Sequence, residues 1–182
     1  MSLSRVEEPV EMWMLIGELM RTRTREYLAS SPLSTEEMPG LRPPATPAQL
    51  RELEARANQP LDPEYRRFLS LTDGLDGFHY TMPLLGCRDW ENPERSRLGS
   101  MLRNIVLETG PLTEVGLPEE THVCPIHVNA EGSAGILMLH HSHDALERFW
   151  WTGQGDSMFF HTFRDLVAYT TDGSYSPRDL SG

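Results

Sequence analysis

Apolar residues recur three or four apart over residues 5–29: Val6, Val10, Trp13, Gly17, Met20, Thr24 and Tyr27, with Ile16 and Leu28 beside the stripe. That period predicts an amphipathic helix, with Glu8, Glu11, Arg21 and Arg25 on its polar side. The stripe needs a covering surface. The rest of the chain is the first choice, and a second copy, giving a homodimer through this helix, is the other. The stretch that follows, ASSPLSTEEMPGLRPPATP, is too rich in proline and glycine to continue a helix and predicts a linker. The expected division is a helix and linker over 1–42, a main domain over 43–174 and a tail over 175–182.

Helical spacing returns at Leu50, Leu53 and Ala57, after Thr46-Pro47, and at Tyr65, Phe68, Leu69 and Leu71, after Asp62-Pro63. In both places a residue that caps helix starts precedes a proline at the first helical position, where its missing N–H costs nothing. The second helix is expected to stop at Thr72-Asp73-Gly74, with Gly74 in the left-handed conformation. Short strands are predicted at 78–80 and 83–85. A helix is expected from Asp89 to about Glu108, burying Met101, Leu102, Ile105 and Val106.

The period then changes. Residues 121–128 and 135–141 read as strands joined by a turn-rich segment, and 147–152 and 157–161 as a second pair joined by Gly153-Gln154-Gly155-Asp156. Thr162-Phe163-Arg164-Asp165 opens a last helix ending near Asp172-Gly173. The expected class is α+β, a largely antiparallel sheet packed with N-terminal helices and a closing C-terminal helix.

Composition narrows the function. The 182 residues carry a formal net charge of -11, which repels nucleic-acid phosphates and attracts basic partners. Every one of the 16 basic residues is arginine, so no lysine nucleophile, Schiff base or P-loop lysine is present. The two cysteines, Cys87 and Cys124, form no Cys-x-x-Cys and fit a reducing, cytoplasmic setting. Neither a secretory leader nor a membrane-spanning stretch is read, and no membrane partner is expected.

The histidine run His140-His141-Ser142-His143-Asp144 is the strongest candidate for metal chemistry. Yet His140 and His141 point to opposite faces of a strand, and the metallo-hydrolase pattern fails at Ala145 and Leu146. Cys124 and His127 also fall on opposite faces of a regular strand. Gly155-Asp156-Ser157 lacks a glycine elbow, Gly153-x-Gly155 lacks the third glycine of a dinucleotide fingerprint, and Asp73 with Asp76 supplies too few oxygens for an EF-hand. The expectation is no catalytic residue, no metal and no cofactor. Trp150-Trp151 differs: one indole fills the core and its neighbour faces the other side.

Two stretches carry a family resemblance. TPAQLRELEARANQPLDPEYRRFLSLTDGLDG and LPEETHVCPIHVNAEGSAGILMLHHSHDALERFWW…SMFFHTFRDLVAY resemble, in order and spacing, the SUKH superfamily of Smi/Knr-like cell-wall assembly regulators over about residues 43–170. Asp62 stands where that family usually has proline, Asp73 where it has asparagine, and the helix at 5–29 is additional. The resemblance implies a non-enzymatic binding protein. The leading expectation is an immunity protein that neutralises a polymorphic toxin, a basic nuclease domain for example, by direct binding. A regulatory or scaffolding module is the alternative, and a metal-dependent enzyme the least favoured. The expected contact surface is a rim of Glu91, Glu94, Asp144, Glu147 and Asp156 with Trp90 or Trp150 as aromatic anchor.

Overall fold

A computed structural model describes residues 4–30, 37–80, 82–109, 112–140, 147–153, 156–172 and 178–179. Its helices are α1 (Ser4–Ala29), α2 (Pro47–Ala57), α3 (Pro63–Leu69), α4 (Pro93–Thr109) and α5 (Phe163–Asp172). Its strands are β1 (Gly40–Leu41), β2 (Leu75–His79), β3 (Met82–Leu84), β4 (His122–Val128), β5 (Gly135–His140), β6 (Phe149–Gly153), β7 (Asp156–Phe160) and β8 (Arg178–Asp179). They lie side by side in chain order, each antiparallel to the next, in one sheet. The class is α+β, as the change of period along the chain predicts. No helix among the described residues is long and apolar enough to cross a membrane.

Alternation along the strands builds two cores. Cys124, Ile126, Ile136, Met138, Phe149 and Phe160 face helices α1, α2, α3 and α5, meeting Met12, Leu50, Phe68 and Leu166 among others. Val123, Val128, Leu137, Leu139, Trp150 and Phe159 face the other way, onto Leu102 and Val106 of α4.

The caps form as read. Thr46 and Gln49 make a reciprocal capping box on α2. Asp62 Oδ1 accepts the N–H groups of Glu64 at 3.0 Å and Tyr65 at 3.2 Å, opening α3. Thr162 Oγ1 accepts the Asp165 N–H at 3.0 Å at the start of α5.

Four local expectations need correcting. The buried stripe of α1 is Met12, Ile16, Leu19 and Arg23, one residue ahead of the predicted one, and Trp13 is 47% exposed. Both stripes have helical spacing, about 100° apart, and packing against α5 and α3 decides between them. Helix α3 ends at Leu69 with a right-handed Ser70, so Gly74 (φ +85°) turns the chain into β2 instead of capping the helix. Of the four residues expected to be buried on α4, Leu102 and Val106 are, while Met101 and Ile105 are exposed. The predicted linker contributes β1, which pairs with β2 at the sheet edge.

Candidate functional site

The corner Thr72-Asp73-Gly74 is filled from within. Asp73 is fully buried; its Oδ1 accepts the Cys87 N–H at 2.5 Å and its Oδ2 the Arg88 N–H at 3.3 Å. Beside it Arg42 donates to Asp89 Oδ2 at 2.5 Å and pairs with Asp76, and Arg95 pairs with Asp89. Burial works to lower the Arg42 pKa, but the Asp76 and Asp89 contacts outweigh it and raise the pKa above its ordinary value. A Cβ on Gly74 would meet the Leu84 carbonyl oxygen at 2.5 Å, which excludes larger residues. Each buried charge there is matched, so the corner ties β2, β3 and the turn at Cys87–Glu91 together.

An open site lies elsewhere, on the sheet face shared with α1 and α5. Two departures from regular pairing build it. In β4 the register slips between Pro125 and His127. In β2 it slips between Leu75 and His79, where Gly77 has φ +61°. Such bulges re-aim side chains. His127 lies with its ring 5.5 Å from Phe78, 6.0 Å from His79 and 6.2 Å from Trp151. These neighbours put His127 on the face that Cys124 shares, against the expectation from a regular strand.

His79 stands 5.0 Å from Trp151 at an interplanar angle of 90°, and Trp151 stands 6.1 Å from Tyr169 at 84°. This wall separates two cavities. One, of about 530 Å³, runs between the end of α1, the β2–β3 turn and the end of α5, reaching Tyr27, Glu37 and Tyr80. The other, of about 270 Å³, lies over β4–β6 beside His127 and Glu131. The larger is the size of an ordinary ligand site.

Arg23 enters the larger cavity from α1, only 8% exposed. Its Nη1 donates to Glu26 Oε2 at 2.5 Å and its Nη2 to the Thr170 carbonyl, leaving Nε without a partner. His79 Nδ1 is also buried and unpartnered. Burial, reinforced by Arg23, pulls the His79 pKa down to about 4. Burial does the same to His127, down to about 4, although Nδ1 is 2.9 Å from the Pro83 carbonyl oxygen and donates to it. Both rings are neutral at neutral pH. Tyr80, 61% exposed, holds a left-handed φ of +55° at the rim, unusual for a bulky residue.

No protein-family model matches the chain, and no curated protein matches it.

The structure distributes the residues picked from sequence as follows. Trp90 is half-buried beside exposed Glu91 and Glu94 at the approach to α4, and Glu147 is half-buried ahead of β6. Asp156 begins β7, and Asp144 lies outside the described residues. Trp150 is 4% exposed, stacks on Phe159 at 5.6 Å and donates from Nε1 to Ser157 Oγ at 3.1 Å. It is therefore a core residue and not an accessible anchor; Trp151, on the opposite face, is half-buried against the other core. His140 sits opposite His122 with ring centroids 6.4 Å apart, while residues 141–143 lie outside the described ones. Among the described residues no group of three His, Cys, Asp or Glu side chains is arranged to hold a metal ion. The aromatic-lined cavity was missed because it depends on two bulges and on where α1 ends. Alternation at Trp150-Trp151 was the one available signal.

Proposed function

We propose that the chain is a non-enzymatic binding protein of the SUKH type that acts as a cytoplasmic immunity protein, covering a basic toxin domain. The observation that carries this reading is the order of elements. The helices α2 and α3, then the strands β4 and β5, the Trp-bearing β6 and the closing α5 come in the order that the resemblance over residues 43–170 implies. The charge of -11 supports it, because an acidic surface speeds encounter with a basic nuclease and competes with its phosphate ligand. The test is co-expression with the toxin-like product of an adjacent gene. The proposal expects a tight complex, weakened by salt, and rescue of growth; neither binding nor protection would sink it.

A regulatory or scaffolding role is the second reading, favoured by Trp13 and Met14, which stand exposed on α1 at 47% and 63%. Deleting α1 would remove Met12, Ile16 and Leu19 from the core, so the cleaner probe is Trp13→Ala with Met14→Ala. Loss of a dimer or of a captured partner, with folding kept, would favour this role.

A further inference from the structure

We propose that the cavity between α1, the β2–β3 turn and α5 is a binding site for an organic cation, an ammonium or guanidinium group. Three features of the site converge on that chemistry.

The walls are aromatic and set at right angles. Trp151 meets His79 at 90° and Tyr169 at 84°, while Tyr80 stands T-shaped to His79 at 4.5 Å and Tyr27 closes the α1 side. Trp151, Tyr169, Tyr80 and Tyr27 thus line the cavity with aromatic rings, and a ring face open to it attracts a cation and not an anion.

The charge balance has the matching sign. Arg23 is the cavity's own cation, but Glu26 neutralises it and the Thr170 carbonyl takes a second of its nitrogens. Glu37, exposed at the rim, has no ion-pair partner among the described residues, so the cavity keeps a net negative charge. Glu131 adds a carboxylate in the adjoining cavity. The histidines add no opposing charge at neutral pH.

The site is also built to be held open. The backbone of Glu37–Pro39 passes over Gly77 so closely that a Cβ there would stand 2.5 Å from the Glu37 carbonyl oxygen. This contact fixes Glu37 against the β2 bulge. The buried, unpartnered Nδ1 of His79 and Nε of Arg23 lie in the same wall. An ammonium or guanidinium N–H satisfies the lone pair of a neutral His79 ring, while the Arg23 Nε–H, itself a donor, needs an acceptor such as water.

The inference stands whether or not the partner is a toxin. Calorimetric and NMR titration of the full chain would use tetramethylammonium and N-acetylarginine amide as probes. Neutral tert-butanol and N-acetylcitrulline amide are the matched controls. At least one cation is expected to bind with a dissociation constant of about 1 mM or tighter, and about ten-fold more tightly than its neutral partner. Glu37→Gln and Tyr80→Ala, both at exposed positions, should each weaken it about three-fold or more with the circular dichroism unchanged. A short arginine-containing peptide then distinguishes the sources. Binding tighter than the free amide assigns the site to a partner's side chain, and equal binding to a free small cation. Equal affinity for cation and neutral isostere, preference for an anion such as benzoate, or no binding by either cation overturns the inference.

Discussion

Replacing His127 with glutamine should change how stability depends on pH more than it changes stability itself. His127 is 1% exposed, and burial brings its pKa from an ordinary 6.5 to about 4. In the unfolded chain the ring takes up a proton as pH falls through 6.5, while in the folded chain it does so only near 4. Between those values the unfolded state holds more protons, so acid favours unfolding. The shift spans about 2.5 pH units at 1.36 kcal/mol each, so the wild type loses about 3 kcal/mol from this residue between about pH 7 and about pH 4. Glutamine does not titrate and keeps a donor for the Pro83 carbonyl. His79 and His140, whose pKa values are also lowered by burial, remain in both proteins and largely cancel. Asp76, held low chiefly by its hydrogen bond from Arg42, contributes its loss below its ordinary value of 3.8, outside the window. Urea titrations at a series of pH values, followed by tryptophan emission, measure the gap between the two proteins. The stability of the wild type relative to the variant should be highest at neutral pH and fall by about 3 kcal/mol towards pH 4. A gap that stays constant refutes the reasoning: His127 would then titrate in the fold as it does in the unfolded chain.

Asp73→Asn should lower stability by about 2 kcal/mol, since the amide nitrogen replaces an acceptor facing the Arg88 N–H, and thermal melting should show a drop of about 6 °C. Gly77→Ala, forced to φ +61° with its Cβ against the Glu37 carbonyl, should cost about 2 kcal/mol or more in the same assay. Cys87 and Cys124 are buried and raised to about 12, so a thiol reagent at neutral pH should label them only as fast as the protein unfolds.

Local rules read this chain well where one residue decides the outcome. Thr46-Pro47 and Asp62-Pro63 start helices because cap chemistry needs no distant partner. Alternation in β5 and β6 separates Trp150 from Trp151 because the period of two is geometric. Failure came where two readings had equal local merit. Met12, Ile16 and Leu19 compete with Trp13, Gly17 and Met20 at the same spacing, and only the surfaces of α3 and α5 choose. The two bulges are also silent in sequence. Pro125-Ile126-His127 reads as plain alternation, yet one extra residue brings His127 to the side of Phe78 and Trp151. Trp150, named beside Trp90 as an anchor, proves buried for a related reason: sequence shows that one indole of the pair is buried but not which.

Five departures from local rule lie close together, although others, such as left-handed Asn58 and the unpartnered Thr121 Oγ1, lie elsewhere. A β2 bulge, a β4 bulge, a buried arginine, an unpartnered histidine nitrogen and a left-handed tyrosine all border the larger cavity or its shared wall. Strain of this kind persists where the surrounding structure imposes it, and it collects at sites. Tyr80 makes the point testable, because its conformation and its ring have separable effects. A bulky residue at φ +55° costs about 1 kcal/mol that asparagine, at ease in the left-handed region, does not. The ring is 61% exposed, so little burial is lost with it. Tyr80→Asn should therefore raise the melting temperature while weakening the binding of tetramethylammonium. A fall in melting temperature with binding intact would mean that the tyrosine is kept for packing on His79 and has no part in a site.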